Sequence, residues 1–300
     1  MTRVRVFAPA KVNLALHVTG RRADGYHTLD SLVAFADVGD DLIAGPAPAL
    51  SLTVRGPEAD GVPADASNLA LRAASVMADG GGAALELVKN LPPASGIGGG
   101  SADAAAALRA MMALRGIGRA ALAARAAEFG PQADAILALG ADVPMCLRPR
   151  PLRARGIGER LDAVDLPPVA AVLVNPRVAL PTAQVFNALR DRDNPPMPDT
   201  LPAFPDAASL ASWLAGQRND LEAAAIRVQP LVATVLAAVA ATEACLLARM
   251  SGSGATVFGL YASRSAAARA AERLRAERTG WWVESTLLGD QSARAVPLPA

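Results

Sequence analysis

The segment Lys89-Asn90-Leu91-Pro92-Pro93-Ala94-Ser95-Gly96-Ile97-Gly98-Gly99-Gly100-Ser101-Ala102-Asp103 runs straight into Ala104-Ala105-Ala106-Ala107-Leu108. Glycine fills four of the five positions from Gly96 to Gly100. Backbone without Cβ atoms lets N–H groups close on an oxyanion, and a helix opening behind it adds unpaired N–H groups and the positive end of its dipole. The chemistry implied is the cradling of a phosphate. A P-loop would need lysine before the serine, and Ser101 follows Gly100 directly. A dinucleotide fingerprint would need an acidic residue about twenty positions on, whereas the chain past Leu114 reads Arg115-Gly116-Ile117-Gly118-Arg119. The alternative, a flexible Gly-Ser connector, does not account for the abrupt helix behind it.

A group that moves phosphate also needs a cation and a proton acceptor beside the amide donors. Lys11 stands among apolar neighbours in Pro9-Ala10-Lys11-Val12-Asn13-Leu14, where an ammonium either reaches outward or pairs with an acid. Asp142 follows a glycine in Leu139-Gly140-Ala141-Asp142-Val143-Pro144 and precedes an apolar run, which predicts partial desolvation. Locally both stay open to blander readings, a surface lysine at a strand end and a turn or cap aspartate. Tyr26 and His27 are one each of only two tyrosines and two histidines, side by side after the turn signal Asp24-Gly25. Such a pair could stack on a pyrimidine and bond its polar edge, or simply form a hairpin turn.

The elements that must position these residues alternate. Strands are expected at Val4–Phe7, Leu50–Val54, Ala84–Val88, Ala170–Val174, Thr256–Tyr261 and Trp282–Ser285. Helices are expected at Asn68–Met77, Ala102–Leu114, Ala120–Phe129 ending at Gly130-Pro131, Ala133–Leu139, Leu221–Ala248 and Ser265–Thr279. Ser67 or Asn68 would cap the first helix and Gly80 to Gly82 stop it; Ser101 and Gly116 would do the same for the second. Proline clusters at Arg148-Pro149-Arg150-Pro151, at Pro167-Pro168 and from Asn194 to Pro205 mark connections, the first near a domain junction. Interleaved strands and helices indicate an α+β or α/β layer.

The chain of 300 residues, 52% hydrophobic and 19% charged, is ample for a packed core. A formal charge of +1 gives no global field for nucleic acid or an acidic membrane, so anion recognition must be local. Cys146 and Cys245 lie far apart without metal-ligand neighbours, which fits free buried thiols in a reducing compartment and sets aside zinc and disulfide frameworks. The amino terminus reads as a charged alternating strand, not a signal core, and the most apolar run, Val228–Thr242, reads as a core helix. A cytoplasmic location is the expectation.

Four separated segments resemble one family: Pro9 to Leu16, the glycine loop, Leu139 to Pro144, and Met250-Ser251-Gly252-Ser253-Gly254-Ala255-Thr256-Val257-Phe258. In this order they resemble the GHMP kinases across essentially the whole chain. Within these, Arg21-Arg22-Ala23-Asp24-Gly25-Tyr26-His27-Thr28-Leu29, with Asp37-Val38-Gly39-Asp40, is similar to the branch acting on 4-diphosphocytidyl-2-C-methyl-D-erythritol in the non-mevalonate isoprenoid pathway. The resemblance implies a two-domain α+β kinase fold, an ATP-binding domain over residues 1–158 and a carboxy-terminal domain over 159–300, with substrate between them. It implies that Asp142 takes the hydroxyl proton and Lys11 keeps Asp142 ionised. Lys89 and the run Pro92-Pro93-Ala94-Ser95-Gly96-Ile97-Gly98-Gly99-Gly100-Ser101-Ala102 would bind ATP, Ser101 touching phosphate or the magnesium sphere. Tyr26 and His27 would hold cytidine, Asn13 the diphosphate, and Thr182 would line the substrate; the magnesium ligands and the oligomeric state are left open.

Two positions depart from the family: the loop commonly has glycine where Ala94 stands and serine where Ala102 stands. Alanine at 94 predicts negative φ there, and alanine at 102 one hydroxyl contact fewer. The alternatives to this branch are another small-molecule kinase, for homoserine or mevalonate, against which Tyr26-His27 argues, and a non-catalytic ligand sensor, against which Lys11 and Asp142 argue.

Overall fold

The computed structural model describes residues 3–23, 25–78, 81–117 and 133–300. The helix expected over Ala120–Phe129, its stop at Gly130-Pro131, and the turn residues Asp24 and Gly80 lie outside the described residues.

Two long strands, β1 (Val4–Arg21) and β2 (His27–Ala47), form an antiparallel ribbon at the centre of the molecule. The sequence reading stopped at Phe7 because β1 shifts register between Pro9 and Lys11, between Asn13 and Ala15, and between Val18 and Gly20. Ala8 to Val18 are moreover all buried, so no inside–outside period of two runs the length of the strand.

The long β2 is the hub of an eleven-stranded mixed sheet among the described residues. It pairs with β1, with β4 (Gly82–Val88) and β5 (Leu152–Gly156), and with β10 (Trp282–Gly289). From β10 the sheet continues through β7 (Val169–Asn175) and β9 (Val257–Tyr261) to β8 (Leu247–Met250). Short β3 (Ser51–Arg55), β6 (Arg160–Ala163) and β11 (Leu298–Pro299) pair with β4, β5 and β1 respectively. All seven residues of β7 are buried, as a continuous apolar run predicts.

Helices α1 (Leu69–Val76) and α2 (Gly99–Leu114) cover one part of this sheet. The Asn68 side chain accepts from Ala70 N at 2.9 Å and caps α1 as expected. The second helix opens earlier than expected: it starts at Gly99 behind Gly98, with Ser101 inside its first turn rather than at the cap. Its alanines 102, 104–107 and 110 are all 1% exposed or less, and so small a cylinder can be enclosed on every side. Gly116, at φ +74°, ends it as expected.

After α3 (Ala133–Leu139) and α4 (Val143–Cys146), the carboxy-terminal half adds α5 (Thr182–Asn187), α6 (Ala207–Ala215), α7 (Glu222–Val228), α8 (Leu231–Ala240) and α9 (Arg264–Glu277). The single helix expected over Leu221–Ala248 is corrected to α7, α8 and then strand β8. Gln229 is extended before Pro230, which lacks the N–H a continuous helix needs and disfavours helical backbone at the preceding residue. Among the described residues no helix is long and apolar enough to cross a membrane. Mixed sheet and surrounding helices together give the α+β fold.

Candidate active site

The glycine loop is held from below by a buried ion cluster. The Lys89 ammonium bonds Asp40 Oδ2 and, at 2.8 Å, Asp103 Oδ2, and all three residues are at most 3% exposed. Asp40 uses its other oxygen to accept from the amides of Asn90 and Leu91, at 2.6 and 2.9 Å. Strand β2, the loop and α2 are thereby tied at one point. Lys89, expected against the nucleotide, has its charge engaged beneath the loop; a Cβ on Gly99 would lie 3.5 Å from its Nζ.

Above this cluster the loop presses backbone against backbone. A Cβ on Gly96, at φ +78°, would meet the carbonyls of Ser251 and Gly254 at 2.6 Å, and one on Gly98, at φ +66°, would strike the Lys11 stem at 2.5 Å. Their left-handed backbone and close neighbours call for glycine, and they lead directly into the start of a sixteen-residue helix. Ala94 corrects the sequence expectation: it adopts φ +50°, so alanine here carries the left-handed conformation for which glycine is the easier residue. Ala102 is buried in the core beside α1, its methyl serving packing.

Lys11 and Asp142 come together from positions 131 residues apart in sequence. Lys11 Nζ lies 3.3 Å from Asp142 Oδ2; the lysine side chain is 7% exposed and the carboxylate 37%. Asp142 occupies the N-cap position of α4, yet its side chain makes no capping bond. Its carboxylate remains available to Lys11 and to whatever enters from the open side. Ser101 stands near the same turn: a Cβ on Gly140 would be 3.9 Å from its hydroxyl.

Asn13 is 4% exposed, and its carboxamide is engaged within the protein. Its Oδ1 accepts from Lys11 Nζ at 2.5 Å and its Nδ2 donates to Ser31 Oγ at 2.8 Å. The second glycine turn closes the site from the far side. The Ser251 hydroxyl accepts from Asn13 N and donates to Gly96 O, both at 3.1 Å, stapling β1 to the loop. Asn219 holds that turn in place by donating to Met250 O and Gly252 O, at 2.8 and 2.9 Å.

Tyr26 is 62% exposed, the most exposed large apolar side chain among the described residues. His27 beside it stacks on Phe186 of α5, ring centroids 4.8 Å apart and planes 24° apart. Burial, with the positive charges of Arg21 and Arg192, holds the His27 imidazole below the usual histidine range, and its Nε2 is buried without a hydrogen-bond partner among the described residues. An orphaned ring nitrogen beside an exposed aromatic face suits a flat ligand with a polar edge. Thr182, at the start of the same helix, meets Ser253 of the second glycine turn at 2.8 Å, Oγ1 to Oγ.

Sequence reasoning missed Phe186, Ser31 and the pairing of Lys89 with Asp40 and Asp103. Phe186 lies four residues after Thr182, the spacing of one helix face, and that signal was available. The partners of Lys89 stand 49 and 14 residues away in sequence and leave no local pattern.

Residues 68–149 match the model of the GHMP kinases N terminal domain, and residues 200–278 that of the GHMP kinases C terminal. The 4-diphosphocytidyl-2-C-methyl-D-erythritol kinase of a Cereibacter sphaeroides strain is 57% identical over 279 residues, covering 92% of this chain and 96% of its own. The protein of that name from Roseobacter denitrificans is 52% identical over 299 residues, covering 98% and 96%. A crystal structure of 4-(cytidine 5'-diphospho)-2C-methyl-D-erythritol kinase is 38% identical with a TM-score of 0.72, over 95% of this chain and 99% of the other. A homoserine kinase from Cytophaga hutchinsonii, at 21% identity and TM-score 0.69 over 99% and 97%, shares the fold. With identity above one half over 92% and 98% of its length, the chain belongs to the GHMP kinases, in the 4-diphosphocytidyl-2-C-methyl-D-erythritol kinase branch.

Proposed function

We propose that the protein transfers the γ-phosphoryl group of ATP to a hydroxyl of 4-diphosphocytidyl-2-C-methyl-D-erythritol, a step of the non-mevalonate isoprenoid pathway. The observation that carries this reading is the Lys11–Asp142 pair at 3.3 Å, its carboxylate partly exposed and its lysine stem packed against Gly98 of the glycine loop.

Asp142 accepts the proton of the substrate hydroxyl as its oxygen bonds to phosphorus and the bond to the ADP leaving group breaks. Lys11 lies 3.3 Å from that carboxylate, and its ammonium faces the charge developing on the phosphoryl oxygens. The loop amides and the start of α2 hold the phosphates of the nucleotide in line. Lys89 acts from beneath by fixing the loop to β2 and α2, and Asn13 by holding the Lys11 ammonium.

Magnesium fits this site as a companion of the nucleotide. No group of three or more His, Cys, Asp or Glu among the described residues could hold a metal ion, while Asp142 and Ser101 offer oxygens beside the loop. Magnesium commonly keeps several waters and binds through one or two protein oxygens plus phosphates, where it neutralises charge on the transferred group.

On the substrate side Tyr26, His27 and Phe186 form the cytidine pocket. Thr182 lines the route between that pocket and Asp142. The same reading divides the chain into an ATP-holding domain of residues 1–158 and a carboxy-terminal domain of residues 159–300, the hairpin of β5 and β6 spanning the division. It places the protein in the cytoplasm.

Asp142→Asn tests the assignment directly. Removing the proton acceptor should lower kcat by about 10²- to 10⁴-fold, with ATP binding measured by calorimetry nearly unchanged. Turnover close to the parent rate would show that Asp142 is not the base.

A further inference from the structure

At the bulge between Asn13 and Ala15, Leu14 has no partner residue in β2, and the carbonyls of Leu14 and Ala15 each have a side-chain donor. Leu14 O accepts from Arg249 Nη1 at 2.9 Å, and Ala15 O accepts from the Ser31 hydroxyl at 2.7 Å. A serine hydroxyl has one proton, and Ser31 has spent it on Ala15. Toward Asn13, 2.8 Å away, it can therefore only accept. That requirement turns Nδ2 of Asn13 to Ser31 and leaves Oδ1 for Lys11 Nζ, which in turn lies 3.3 Å from Asp142.

The reversed carboxamide would set an N–H against the ammonium and an oxygen against a hydroxyl whose proton points elsewhere. Ser31 is 2% exposed and Asn13 4%, so solvent is poorly placed to take over either bond. We infer that Ser31 is a positioning residue for phosphoryl transfer: its hydroxyl fixes the facing of the Asn13 carboxamide and through it the Lys11 ammonium against Asp142. This rests on the kinase reading above. The chain of hydrogen bonds runs from a bulge carbonyl in β1, through β2, back to the reacting pair.

The test measures turnover with Mg-ATP and the cytidine substrate for the parent, Ser31→Ala and Ser31→Thr, and for Ser31→Ala in an Asn13→Ala background. Ser31→Ala should lower kcat about tenfold or more while KM for each substrate stays within about threefold, and Ser31→Thr, which keeps the hydroxyl, should recover most of it. With the Asn13 carboxamide gone, losing Ser31 should cost less than about twofold further, because the two act as one unit. If Ser31→Ala does not fold, Ser31→Cys, close in size and a poor hydrogen bonder, must show the same loss of kcat. An active parent indifferent to Ser31→Ala, or an equal loss with and without the Asn13 carboxamide, would overturn the inference alone. An inactive parent would overturn the kinase reading and the inference with it.

Discussion

Lys89 places one positive charge between two carboxylates, so the buried cluster carries an unbalanced negative charge if both Asp40 and Asp103 ionise. The proton settles by geometry. Asp40 accepts two backbone amides, whereas Asp103 Oδ1 has no partner among the described residues. Burial raises Asp103 to about 8 against the pull of Lys89, with Asp40 adding to the rise. A carboxyl group that keeps its proton in the folded state and loses it at ordinary acid pH when unfolded makes stability fall as pH rises from about 4 to about 8, by up to about 1.4 kcal/mol per pH unit. The melting temperature should therefore drop between pH 6 and 8, and Asp103→Asn should flatten that drop; the same slope in the variant would refute the assignment. Lys11 and Asp142 were legible as a pair only when four motifs were seen in order, since neither neighbourhood names the other. Ser31 was not legible at all, because its role depends on a bulge that the sequence conceals.

Among elements, the glycine loop is the one whose chemistry is written most openly in the chain, and its contacts say which glycines matter. Gly96→Ala would drive a Cβ into two carbonyls at 2.6 Å, and backbone cannot yield as a side chain can. It should weaken ATP binding more than tenfold and cost about 1–3 kcal/mol of stability through backbone strain. Gly116→Ala is the control: φ is also positive, at +74°, but nothing lies within 4 Å, so the nucleotide Kd should not move. Equal effects from both changes, followed by calorimetry and thermal melts, would mean that the loop binds nothing through this close approach. Helices α1 and α3 and the buried β7 were readable because cap residues and apolar runs are local signals. Most of β1, the hub strand β2 and the broken α7–α8 pair were not, because bulges and one extended residue interrupt the periodicity on which such reading depends.

At the scale of the whole molecule, β2 carries His27 at one end and Asp40 further along, so one strand joins the aromatic pocket to the floor of the phosphate loop. Phe186 reaches the pocket from a helix that follows β7, more than 150 residues after His27 in sequence. Phe186→Leu should therefore raise KM for the cytidine substrate about tenfold and leave KM for ATP within about twofold, as expected for losing an aromatic face from one of two separate subsites. A parallel rise in both would show that the two ends of β2 are not distinct sites. The measurement that bears most directly on the account is transfer of phosphate from Mg-ATP to 4-diphosphocytidyl-2-C-methyl-D-erythritol, followed by ADP release, with homoserine and mevalonate run in parallel. Turnover of the cytidine compound alone is the result expected; turnover of homoserine or mevalonate in its place, or of none of the three, would contradict it.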